Sequence, residues 1–369
     1  MADLAIDGLR VADRRLDQKR RRGEWEMRQH VQGGSIRSEA FERLFQHGGD
    51  INSARVAFPN APTPWIDLST GVNPVSYPLP AFAPEDWTRL PSPVDLAALQ
   101  AVAAARYGAA ADEVVVAPGT QALIQWLPRL FPANAVAIPG PTYSGHERAW
   151  RAAGADVRAD LDAAHFVVVN PNNPDGRRWP RAQVRALAEQ AARGGGLLVV
   201  DEAFADFDDE TFARDVPAAT MVLRSFGKAY GLAGLRLGFA IAQAPLAFRL
   251  REAVGAWAVS GPALRLGRQA LADEAWLAQA RARLTADVAW LDARLNEAGF
   301  EIVGGTLLFR LARRADADRA FFALCARGVL TRPFRSDPTR LRFGLPAPGD
   351  RARVAEALRG VQALTSSAS

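Results

Sequence analysis

From about Asp95 the hydrophobic positions follow two alternating rhythms. In Leu96–Tyr107, Ala122–Leu130 and Arg181–Arg193 they recur at the spacing that gathers them on one face of a helix. Between and after these segments lie short runs that are apolar almost throughout: Glu113–Ala117, Ala135–Ile138, His165–Val169, Leu197–Val200, Met221–Arg224 and Leu235–Ala242. A strand without a polar face is buried on both sides. Alternation of such strands with helices therefore predicts an α/β fold, a mostly parallel sheet flanked by helices. After Ser260 the rhythm changes to a long helical region over 262–298, a strand over 301–311, a helix over 316–327, a strand over 341–345 and a last helix from Asp350. That segregation predicts a smaller α+β domain. The expected layout is a polar, disordered extension over 1–40 and a Pro-rich arm over 41–75 that packs with the small domain or a partner subunit. A large domain over 76–258 and a small C-terminal domain over 259–369 complete it.

Composition narrows the function classes. The chain is 49% hydrophobic and 23% charged, enough apolar material for a sizeable core. No apolar run is long and charge-free enough to cross a bilayer, and Met1–Asp7 lacks the basic-then-apolar order of a secretory signal. A cytoplasmic protein without membrane contact is expected. One cysteine, Cys325, excludes an intrachain disulfide, and four scattered histidines give no metal constellation. By residue type alone, His47, His146 and His165 read as surface or packing residues. A net charge of +5 raises the question of nucleic acid, but the basic residues are scattered through Ala-rich helical stretches, and solvated helix faces account for them. No nucleic-acid partner is expected.

The same basic residues carry a sharper signal. Of 45, only Lys19 and Lys228 are lysine. Lys19 lies in a charge-rich tail, whereas Lys228 lies among glycines and aromatics in Ser225-Phe-Gly-Lys-Ala-Tyr-Gly-Leu-Ala-Gly-Leu-Arg236. Arginine stays protonated; a lysine amine can lose its proton and act as a nucleophile. In an open α/β sheet, ligands bind beyond the carboxyl ends of the strands. Gly119, Thr120, Asn173, Asp201, Ser225 and Lys228 all follow predicted strands, and Arg236 stands eight residues past the lysine. There is no P-loop and no dinucleotide fingerprint. A lysine, a carboxylate, an amide, hydroxyls and an arginine at one sheet edge suit an aldehyde cofactor that carries a phosphate and a ring nitrogen.

Asn170-Pro-Asn-Asn-Pro174, Asp201-Glu-Ala-Phe204 and the Lys228 segment resemble the fold-type I pyridoxal-phosphate aminotransferases. The resemblance runs from about His47 to the C-terminus. Within that superfamily the chain is similar to histidinol-phosphate aminotransferases and to the L-threonine O-3-phosphate decarboxylases of cobalamin synthesis. His47-Gly-Gly-Asp-Ile-Asn52 and Leu68-Ser-Thr-Gly-Val-Asn-Pro74 favour the decarboxylases. The resemblance implies pyridoxal 5′-phosphate as cofactor, with Lys228 as the Schiff-base lysine and Asp201 as partner of the ring nitrogen. Asn173 would bond the 3-oxygen, Tyr143 would stack on the ring, and Gly119, Thr120, Ser225 and Arg236 would hold the phosphate. It implies Arg342 for the substrate carboxylate, with Arg332, His47 and Asn73 as further substrate residues, and a homodimer. A phosphorylated amino acid is the implied substrate, decarboxylation the implied reaction, and amino transfer with glutamate the alternative. Phe204, Leu90 and Gly227 depart from the tyrosine, tyrosine and serine frequent at those positions.

Overall fold

The computed structural model describes residues 35–366. Its centre is a seven-stranded sheet in the order Val114–Ala117, Gly238–Ala242, Thr220–Ser225, Leu198–Asp201, His165–Val169, Ala135–Ala137, Asp156–Arg158. Gly238–Ala242 runs antiparallel to both its neighbours and the other pairings are parallel. The apolar runs have the cause expected of them. Val114, Val116, Phe166, Val168, Leu198 and Val200 enter one buried cluster, while Val115, Ala117, Val167, Val199, Met221 and Leu223 enter a second on the opposite face. Alternate residues of one strand thus feed two cores.

Helices close both faces. Pro93–Tyr107 begins with Ser92, whose hydroxyl accepts the Val94 amide, and ends on Gly108 at φ +70. Serine at the cap, proline in the first turn and glycine in the left-handed position are the residues such ends favour. Three readings of the sequence need correction. The helical region over 262–298 is two helices, Gly261–Ala272 and Glu274–Glu297, because Asp273 breaks the run and caps the second by accepting the Trp276 amide at 2.9 Å. The strand over 301–311 is a hairpin, Glu301–Thr306 with Phe309–Arg313, and it joins Arg340–Gly344 and Arg332–Pro333 in a four-stranded antiparallel sheet. The last residues of the expected disordered extension belong to the helix Ser35–Arg43, anchored by buried Ala40 and Phe41 with Leu44 just beyond. The rest of the expected extension, residues 1–34 with Lys19, lies outside the described residues. The arm that follows is mostly irregular, as its prolines demand, but Ile66–Asp67 pairs in parallel with Val329–Leu330.

A buried ion cluster fixes the ends of two central strands. Arg224 donates to Glu202 at 2.9 Å and to Asp206 at 2.5 Å, and all three are almost wholly buried. Burial opposes the charge on Arg224, but Asp206 and Glu202 overcome it and hold the guanidinium above its ordinary value. Arg224 precedes Ser225, and Glu202 follows Asp201, so the cluster registers two site residues. Arg224→Met would strand two buried carboxylates and should cost about 3–5 kcal/mol. Urea unfolding measures this; a loss below about 1 kcal/mol would refute the assignment.

Candidate active site

Gly119, Thr120, Tyr143, Asn173, Asp201, Ser225, Lys228 and Arg236 line one cavity of about 210 Å³ at the carboxyl ends of the strands. The fold explains the convergence. Asp201 and Ser225 are the last residues of adjacent strands, and Lys228 lies in the single turn Phe226–Ala229 that follows Ser225. Gly119 precedes the helix Thr120–Leu130, whose first amides have no partners inside the helix. Gly119 has φ +84, and a Cβ there would sit 2.6 Å from an Arg236 terminal nitrogen, so only glycine admits the guanidinium to this helix start. Arg236 itself holds φ +55, a left-handed conformation uncommon for a side-chain residue and typical of functional sites. Helix N-terminus, guanidinium and Ser225 together form an anion cradle.

The sequence reading missed one contact. His146 is fully buried, and its Nε2 lies 2.8 Å from Asp201 Oδ2. An ionised carboxylate only accepts, so Nε2 carries the proton. The other Asp201 oxygen accepts the Ala203 amide at 3.0 Å. The signal was the Tyr143–His146 spacing at a helix start, which puts both on one side of Ser144–Ala152. Tyr143 donates to Gln121 at 2.9 Å, and Gly145 leaves room for its ring, since a Cβ there would lie 2.4 Å from Tyr143 Cε1.

A second cavity of about 550 Å³ opens onto the first, and Tyr143, Asn173, Phe204 and Lys228 line both. The outer chamber is lined by His47, Arg332, Arg335 and Arg342 as well as Lys228, and among the described residues by no carboxylate. Arg342 is buried and donates to Asn173 Oδ1 at 2.5 Å and to the Ser69 carbonyl at 2.7 Å. Arg332 donates to the carbonyls of Leu44 and Gln46, both at 3.0 Å, and Arg335 pairs with Glu42. Burial and Arg332 pull Arg342 down to about 10, and burial and Arg148 do the same to Arg332. Both remain cations at neutral pH, and their mutual repulsion is relieved by a bound anion. Burial, then the charge of Arg342, lowers the Lys228 amine to about 8 despite the opposing pull of Asp201.

His47 reaches the chamber because the arm is pinned beside it. A Cβ on Gly48 would sit 2.3 Å from the Ser69 carbonyl oxygen, and the Gly49 amide donates to Ser69 Oγ at 2.7 Å. Ser69 therefore ties His47 and Arg342 to one point. Asn73 lines neither chamber, contrary to its expected place beside the substrate. Its backbone amide donates to the Lys228 carbonyl at 2.9 Å and its side chain to the Ala229 carbonyl at 2.8 Å. Those bonds use its amide to hold the lysine turn in place. The departures also have local causes. Gly227 cannot be serine, because a Cβ would lie 2.7 Å from Ala233 Cα. Phe204 packs edge-on against Phe309 at 5.0 Å and faces Lys228 Nζ at 5.5 Å. Leu90 is exposed, away from both chambers.

A lysine at the junction of two chambers lined by anion-binding groups, an aspartate behind it and a helix start with an arginine beside it define the class: a fold-type I pyridoxal-phosphate architecture. The chain belongs to the aminotransferase class I and II family, whose model matches residues 64–361. A threonine-phosphate decarboxylase from Sinorhizobium sp is 42% identical over 325 residues, covering 85% of this chain and 97% of the relative. Another from Pseudomonas aeruginosa is 39% identical over 315 residues, covering 82% and 94%. The crystal structure of histidinol-phosphate aminotransferase from Sinorhizobium meliloti in complex with pyridoxal-5′-phosphate superposes with a TM-score of 0.73 at 20% identity, covering 87% of this chain and 97% of that one. Among the described residues no helix is long and apolar enough to cross a membrane and no cluster could hold a metal ion.

Proposed function

We propose that the protein is a pyridoxal-phosphate-dependent carboxy-lyase that converts L-threonine O-3-phosphate to (R)-1-amino-2-propanol phosphate and CO2, a step of cobalamin synthesis in the cytoplasm. The observation that carries this reading is the outer chamber: basic groups without a carboxylate, opening on a lysine. Such a lining favours a ligand with several negative charges, as a phosphomonoester that also bears a carboxylate has. The two decarboxylase relatives support the same reading.

The inner chamber fits pyridoxal phosphate on the chemistry of its donors. The amides at the start of Thr120–Leu130, Ser225 and Arg236 would hold the phosphate, with Gly119 admitting the arginine. Asp201, oriented by His146, would keep the ring nitrogen protonated; Asn173 would bond the 3-oxygen, and Tyr143 would cover the ring. When bound, the cofactor supplies an electron-withdrawing ring that takes up the electron pair left on Cα. The rest belongs to the protein. Arg342, fixed by Ser69 and Asn173, would hold the substrate carboxylate and so orient the bond from Cα to that carboxylate. His47 and Arg332 receive the phosphoryl group at the far end of the substrate. Phe204 keeps the amine side of the chamber apolar, and Lys228 returns a proton to Cα after CO2 leaves.

Incubating the holoenzyme with threonine phosphate should release CO2 and leave the amino group on the product. Amino transfer from glutamate to imidazole-acetol phosphate, without CO2 release, would replace this reading with a histidinol-phosphate-type aminotransferase. A homodimer belongs to the proposal: Leu79, Trp87, Leu90 and Val94 expose large apolar side chains on one short stretch of chain.

A further inference from the structure

The guanidinium of Arg148, in the helix Ser144–Ala152, lies 3.1 Å from Nε2 of His47, and no carboxylate among the described residues pairs with Arg148. An arginine only donates, so this contact requires a bare lone pair on Nε2. Protonation of His47 would turn the bond into a clash of two donors and two positive charges. We propose that Arg148 is a positioning residue that fixes His47 as the neutral, Nδ1–H tautomer, so that the outer chamber meets a phosphomonoester with an oriented hydrogen-bond donor rather than with another cation. The inference rests on the reading of that chamber as a phosphoryl site.

The surroundings point the same way. The charged groups acting on His47 are Arg148 and, from the strand Arg332–Pro333, Arg332, and among the described residues neither is paired with a carboxylate. Burial, Arg148 and Arg332 all push the imidazole below its ordinary value. The arm cannot swing away to relieve the contact, because Gly48 and Gly49 are seated on Ser69. A neutral donor has a chemical advantage here. It presents an oriented N–H to the ligand without adding a further positive charge beside Arg332, Arg335 and Arg342.

The chain has only four histidines, so isotope-labelled histidine in the cofactor-loaded enzyme gives a spectrum that single substitutions can assign. Wild type should show His47 neutral at pH 7 with its proton on Nδ1. Arg148→Met should raise the pKa of His47 and mix its tautomers, and Arg148→Lys, which keeps a cationic donor, should restore the wild-type pattern. With inorganic phosphate as probe and the inner chamber filled by cofactor, Arg148→Met should weaken binding about tenfold. In a His47→Asn background the same change should have less than about a twofold effect, because Arg148 then has nothing to orient. Equal losses in both backgrounds, or an unchanged His47 spectrum, would overturn the proposal. Neither measurement needs turnover. An enzyme that shows this coupling but makes no CO2 would keep the Arg148 assignment and lose the reaction.

Discussion

Lys228→Ala should abolish turnover, with kcat falling by at least about 10⁴-fold. Lys228 lines both chambers, so its amine is the group placed to bond the cofactor on one side and to move a proton at the substrate on the other. Lys228→Arg should be equally inactive although it keeps the positive charge, because a guanidinium does not give up its proton at workable pH. Borohydride reduction of wild type, then peptide mapping, should label Lys228; a label elsewhere would remove the proposed catalyst. The amine's value of about 8 adds a pH signature. Only the neutral amine attacks an aldehyde, so cofactor uptake by the apoprotein should rise with pH through about 8 and level off above it. Arg342→Met should move that midpoint upward, because a neighbouring cation that disfavours the ammonium is gone.

Asp201→Ala should lower kcat by about 10²–10³-fold, the scale for a positioned charge in a water-excluded site. Two effects combine. The carboxylate that would stabilise a protonated ring nitrogen is lost, and the Nε2–H of His146 loses its acceptor in a fully buried place. Asp201→Asn keeps the shape and an acceptor oxygen but not the charge, so it separates the two effects. It should lose less stability than Asp201→Ala, because its one carbonyl oxygen replaces one of the two acceptors that His146 and the Ala203 amide use, and still lose most of the activity. Thermal unfolding and steady-state rates on the same preparations check this; an Asn variant with near wild-type kcat would show that the charge is not needed. His146→Leu should do less harm than Asp201→Ala, since it disturbs the orientation of the carboxylate and leaves its charge.

Much of the lining of the two chambers was legible because it uses residue types that cannot substitute for one another. A lysine kept in a chain that otherwise uses arginine, an aspartate at a strand end and a glycine before a helix each state a requirement at their own position. The uniformly apolar strands likewise carry the sheet in their own composition, since burial on both faces leaves no place for a polar residue. Boundaries were less visible where one side chain or a short turn decides them. Asp273 splits a helical stretch whose apolar spacing continues on both sides, and the turn between Thr306 and Phe309 folds one apolar segment into two paired strands.

The sequence by itself thus determined the sheet, the lysine, its aspartate and the arginines, because local patterns and irreplaceable side chains specify them one position at a time. Tertiary structure alone decided that His146 backs Asp201, that Asn73 clamps the lysine turn instead of lining the chambers, and that Arg148 meets His47. Each of those contacts joins segments distant in sequence, 55, 156 and 101 residues apart. Such pairings leave no period or local spacing to read; they exist only once packing brings the two surfaces within hydrogen-bond reach.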